Sequence, residues 1–127
     1  MEDRMTTAEI GGKKYKMLFS LAAAKEVCKK YGSLDKIGEG LMQGANEDAI
    51  ESLSWILSLL IEQGRRALEL EGDTSQPKLT AEKIESLLTL GDIPALIPTV
   101  RECITRGTKR NIHTEDETGT DDGDEKN

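Results

Sequence analysis

The chain has 127 residues, 24 acidic and 17 basic side chains and a formal charge of −7, with one Trp, one Phe, two Tyr and one His. Seven carboxylates and one lysine follow Arg110, so that segment holds −6 of the −7 and residues 1–110 are close to neutral. A near-neutral body lacks the concentrated cationic face of general nucleic-acid binding, and its longest apolar stretch, Trp55–Ile61, is far short of the ~20 residues that span a bilayer.

In chain order, residues 1–5 are polar and expected to fray. Thr6–Ile10 and Lys13–Phe19 flank Gly11-Gly12 and predict a β-hairpin, because glycine takes the positive φ that tight hairpin turns require. Alternation places Tyr15, Met17 and Phe19 on one face, leaning on helices, with Leu18 facing the other way. Ser20 is a good N-cap for a helix over Leu21–Tyr31. Its apolar stripe is Leu21, Ala23, Ala24, Val27, Cys28 and Tyr31, and Gly32 suits the position after its end.

Ser33 predicts a short capped turn through Ile37, and Gly38, Gly40 and Gly44 predict a flexible connection. Asn46 starts the longest helix, Glu47–Glu71, with a core stripe of Ala49, Leu53, Ile56, Leu57, Leu60, Gly64, Ala67 and Leu68. Thr80 caps a helix running to Leu90 and closed by Gly91. Asp92 opens the last helix, where Pro94 fits the first turn and Pro98 predicts a kink or two shorter pieces. Leu96, Val100, Cys103 and Ile104 continue its apolar pattern. Residues 111–127 hold one apolar side chain, Ile112, too little to offset ordering entropy, and predict a disordered acidic tail. The expected whole is a mainly α single domain over residues 6–110 with a short N-terminal β-hairpin and four to five helices.

Catalytic chemistry finds little footing. Cys28 and Cys103 form no CxxC pair and read as buried or half-buried small residues of a cytoplasmic protein. His113 stands alone in the tail, so neither a zinc site nor a Ser-His-Asp set can be built. Asp121-Asp122-Gly123-Asp124-Glu125 lacks the ligand spacing and flanking helices of a calcium loop. Gly11-Gly12-Lys13-Lys14 lacks the upstream glycine and Lys-Ser/Thr ending of a phosphate-binding loop. Glu51, Glu62 and Glu69 lie on a polar helix face as solvated carboxylates. No enzyme activity, cofactor or metal is expected. The lysines at 13, 14 and 16 and at 25, 29 and 30 read as solvated faces, with a folded-back acidic tail as the alternative.

One feature of the long helix is unabsorbed by its core stripe. Trp55 and Leu59 are one turn apart, and with Gln63, Arg66 and Leu70 they form a candidate partner-binding patch. A tryptophan beside arginine and aliphatic groups is a common binding hot spot; the structural alternative is that a second helix or the hairpin covers it. A dimer would also hide Trp55. Trp55→Ala is expected to weaken partner binding more than stability.

Taken together, Ile10-Gly11-Gly12-Lys13-Lys14-Tyr15 before Phe19-Ser20-Leu21, Glu26-Val27 before Tyr31-Gly32-Ser33-Leu34, the apolar helix Glu51–Ala67 and Gly91-Asp92-Ile93-Pro94 resemble the tail assembly chaperones of long-tailed bacteriophages and prophages. The resemblance covers about residues 6–107 in order and pattern. It implies a non-catalytic protein of the host cytoplasm, absent from the finished virion. Such a protein would keep the tape measure protein soluble and help recruit tail tube subunits. It carries over no functional residues. Members often also occur in a frameshifted longer form, and Glu125-Lys126-Asn127 is compatible with a slippery adenine run. The alternatives are a small structural or adaptor component of a tail or head–tail connector, and a DNA-mimicking regulator. The second is disfavoured because its charge would sit in the tail.

Overall fold

A computed structural model describes residues 4–41 and 46–108. The elements run β1 (Met5–Ile10), β2 (Lys13–Leu18), α1 (Leu21–Tyr31), α2 (Asp35–Leu41), α3 (Glu47–Leu70), α4 (Ala81–Leu87), a 3-10 turn (Leu90–Asp92) and α5 (Ile93–Thr108). The fold is therefore mainly helical with an N-terminal hairpin, as the pattern predicts. The expected acidic tail, residues 111–127, lies outside the described residues.

β1 and β2 pair antiparallel, from Met5 opposite Leu18 to Ile10 opposite Lys13. Gly11 and Gly12 both take positive φ, 62° and 83°, the combination that lets a two-residue turn match the strand twist. Met5, expected among the frayed residues, is instead a buried strand residue. Leu18 faces away from Tyr15 and Met17, as alternation predicts, and that face is covered too. It is buried with Met5, Ala67 and Leu68, because the end of α3 covers the hairpin face opposite Tyr15 and Met17.

The core draws on both strands and all five α-helices: Ala8, Tyr15, Met17, Val27, Ile37, Leu60, Ile84 and Val100 all belong to one buried cluster. α3 is its axis. Every residue of the stripe read from its sequence is buried, joined by Ile61 and Ser54. Each fully buried Leu or Ile there contributes about 1.5–3 kcal/mol relative to exposure. The helix caps follow the local sequence: the side chains of Ser20, Asn46 and Thr80 accept from the backbone N–H of Ala23, Ala49 and Lys83.

Several expectations need correction. In α1, Leu21 is 88% exposed and Cys28 is exposed as well. Both sit roughly 100–160° around the helix from Ala23 and Val27, whose burial is complete; α1 is rolled so that this face turns inward, which puts Leu21 and Cys28 outside. The glycine-rich connection is helical through Gly38 and Gly40 to Leu41. α4 ends at Leu87 rather than Leu90, and a separate 3-10 turn follows. α5 is one helix across Pro98. Pro98 is exposed, so the hydrogen bond it removes lies on the watered side, where the freed carbonyl is solvated.

Backbones meet closely at two places. A Cβ on Gly64 would lie 2.1 Å from the carbonyl oxygen of Lys16, so β2 crosses α3 where α3 has no side chain. A Cβ on Gly107 would lie 2.3 Å from the carbonyl oxygen of Phe19, seating the end of α5 in the same manner. Nearby, the Gln76 side chain accepts from the Lys16 N–H at 2.8 Å and donates to the carbonyls of Lys16 and Ile61 at 3.1 and 3.2 Å. A loop side chain thus completes the hydrogen bonding of β2 on its outer side. Arg106 donates to the Met5 carbonyl at 2.7 Å, fixing α5 to the start of β1.

Candidate partner-binding site

The structure does not gather Trp55, Leu59, Gln63, Arg66 and Leu70 into one open surface. Trp55 and Leu59 are half-buried against the main core. The ring of Tyr31 stands edge-on to Trp55 at 5.7 Å and 78°, an arrangement favoured by the ring quadrupoles and worth about 0.5–1.5 kcal/mol beyond area burial. The Lys30 ammonium lies 5.1 Å from the Trp55 ring centre and 5.8 Å from that of Tyr31. Tyr31 also donates its hydroxyl to Ser52 Oγ at 3.1 Å. α1 is therefore the element over Trp55.

Gln63 belongs to the same contact. Its Oε1 accepts from the Ser20 hydroxyl at 2.7 Å, while Ser20 Oγ itself accepts from Ala23 N. One hydroxyl caps α1 and ties it to α3. Arg66 is exposed and directs Nε to Glu62 at 3.0 Å. Glu62 is gripped more firmly by Arg65, which donates from Nε and Nη2 at 2.8 and 2.7 Å and reaches Glu69 at 2.6 Å. The Arg65 hydrogen bonds, helped by Arg66 and opposed by partial burial, hold the Glu62 carboxyl at about 2. Leu70, the last residue of α3, is 87% exposed.

The open apolar surface is elsewhere. A cavity of about 180 Å³ lies between the first half of α3 and the α4–α5 junction, lined by Ile50, Leu53, Ser54, Leu88, Leu90 and Ile93 with Glu85 and Thr89 at its side. Leu90 is 61% exposed there, whereas Leu87, the last residue of α4, lies outside this recess beside Gly11 of the hairpin turn. Asp92 Oδ2 accepts from the Thr89 N–H at 2.8 Å, pinning the turn that carries Leu90. The early end of α4 creates this feature, since a helix continued to Leu90 would turn these leucines differently. The run Leu87-Leu88-Thr89-Leu90 is the sequence signal, but it reads equally as the inner face of a longer helix.

Among the described residues no group of His, Cys, Asp and Glu could hold a metal ion, and no helix is long and apolar enough to cross a membrane. Cys103 is buried, and burial pushes its thiol up to about 12. His113 lies outside the described residues. No protein-family model, curated protein or solved structure matches the chain.

Proposed function

We propose that this chain is a non-catalytic tail assembly chaperone that holds an apolar helix of a tape measure protein in the groove between α3 and the α4–α5 junction. The observation that carries the reading is that groove, an apolar recess of about 180 Å³ with Leu90 61% exposed at its edge. An amphipathic client helix engages such a recess by inserting one or two large apolar side chains. Glu85 beside the recess suits a client with basic residues flanking its apolar stripe. The order of motifs along the chain supports the phage assignment, and tail tube subunits are the second partner it implies. The place of action is the host cytoplasm during assembly, before the virion is complete.

The test is co-expression with the tape measure protein encoded nearest downstream, comparing its soluble yield with and without this chain. A soluble complex that co-purifies, and that Leu90→Glu abolishes, is the expected result. Trp55→Ala is the comparison variant. If it abolishes capture while Leu90→Glu leaves capture intact, the surface under α1 is the client site and the groove is not. An insoluble client, with this chain recovered alone or within purified virions, overturns the chaperone reading in favour of a structural adaptor.

A further inference from the structure

The outer side of the hairpin carries a second, chemically different groove. It has a volume of about 460 Å³ and is lined by Lys13, Lys14, Tyr15 and Lys16 on one side and by Asp73, Ser75, Gln76 and Pro77 on the other, with Leu68 between. Lys13 and Lys14 are exposed and Lys16 is half-buried. None of these three lysines forms an ion pair with another described residue.

Two carboxylates are near enough to matter. Glu9 is the strand partner of Lys14. Asp73 instead accepts from the Ser75 hydroxyl at 2.6 Å and the Ser75 N–H at 2.9 Å, and those bonds hold it below its ordinary range. Asp73 therefore stays ionised, but the three lysines still outnumber it and Glu9, leaving a small positive excess over a floor fixed by the bonds of Gln76 to Lys16 and Ile61.

The complementary charge lies in the same chain. Residues 115–125 contain seven carboxylates and no basic side chain. α5 ends at Thr108 beside the open end of the hairpin, because Gly107 abuts Phe19 and Arg106 bonds to Met5. Lys16 is three residues from Phe19, about 10 Å along an extended strand. Residues 109–114 span up to about 20 Å when extended, enough to deliver the carboxylates to the lysines.

We propose that the acidic segment 115–125 occupies the lysine groove of its own chain. Tethering supplies the affinity that a few solvent-screened ion pairs lack, since an attached segment is present at roughly millimolar effective concentration. The association weakens with salt, because the screening length falls to about 3 Å at 1 M. Lys13, Lys14 and Lys16 are then held by an internal ligand that a more acidic partner displaces. This inference is independent of the chaperone reading.

The test uses the full chain, treated with a zero-length carbodiimide coupler at low salt, followed by peptide mapping of the monomer. The expected products join Lys13, Lys14 or Lys16 to carboxylates within 115–125, with a several-fold loss of yield at high salt. As a second measurement, the seven carboxylates are replaced by Gln and Asn, as in Glu115→Gln and Asp121→Asn. Backbone amide signals of residues 13–16 and 75 then differ between the two full-length proteins at low salt and converge at high salt. Coupling confined to Lys25, Lys29 and Lys30, coupling only between two chains, or identical amide signals at low salt overturns the proposal.

Discussion

The two halves of α3 are held in opposite ways. Its C-terminal half meets the hairpin backbone to backbone, at Gly64, where the Lys16 carbonyl occupies the space of a side chain. Its N-terminal half meets α4 and the start of α5 only through side chains, and leaves about 180 Å³ open. A backbone contact fixes both the position and the rotation of the helix, since neither partner has a rotamer to change. A side-chain contact can reorganise, because leucines change rotamer at little cost. The C-terminal half is a fixed frame, and the N-terminal half is where an incoming apolar group finds room.

Gly64→Ala breaks the frame most severely. Its methyl group would collide with main chain, so the helix and strand must separate, and a loss of at least about 3 kcal/mol is expected from the upper range of overpacking costs. Urea denaturation followed by circular dichroism measures it; a loss within experimental error would show that the two backbones part easily. Gln76→Ala is next. It leaves the Lys16 N–H and carbonyl without their side-chain partner, costing about 1–3 kcal/mol, with faster amide exchange at Lys16 as the direct readout.

The Glu62–Arg65–Arg66 cluster on α3 contributes less. The Glu62 carboxyl is held at about 2, below its ordinary 4.5. A depressed folded-state value stabilises above the unfolded value, so its contribution is complete above about 4.5 and is lost as pH falls toward 2. Ion pairs along one helix face, still reached by water as this one is, are worth about 1 kcal/mol or less. Glu62→Gln should therefore remove only a small part of the stability change between pH 5 and pH 2, as followed by thermal melts. Smallest of all is Leu90→Ser, in the open half, expected to change stability by no more than about 0.5 kcal/mol. A large loss there would mean that the groove is structural core.

The sequence is most legible where structure is decided within a few residues. Ser20, Asn46 and Thr80 cap the helices that follow them, and Gly11-Gly12 makes the hairpin turn, because each effect is local. The α3 stripe is equally clear, since burial along a long helix repeats. Contacts between distant segments were not legible. Gly64 reads as one more stripe position, and nothing near it announces the Lys16 carbonyl. Gln76 reads as loop filler although it completes β2 from 60 residues away. The roll of α1 hides Trp55 and exposes Leu21, and periodicity cannot choose between two small-residue faces. The apolar groove is hidden in the sequence for a related reason: only the break after Leu87 separates it from an ordinary helix interior.

Gln76 and Arg106 have one more consequence, which concerns neighbouring molecules. A two-stranded sheet presents two outer edges, and unpaired edge groups are templates on which foreign strands add and aggregation begins. Gln76 occupies both outward backbone groups of Lys16, and Arg106 occupies the Met5 carbonyl at the start of the other strand. Two long polar side chains thereby discourage intermolecular strand addition at a point on each edge. They add to the cover that α3 at Gly64 and α5 at Gly107 already give the hairpin.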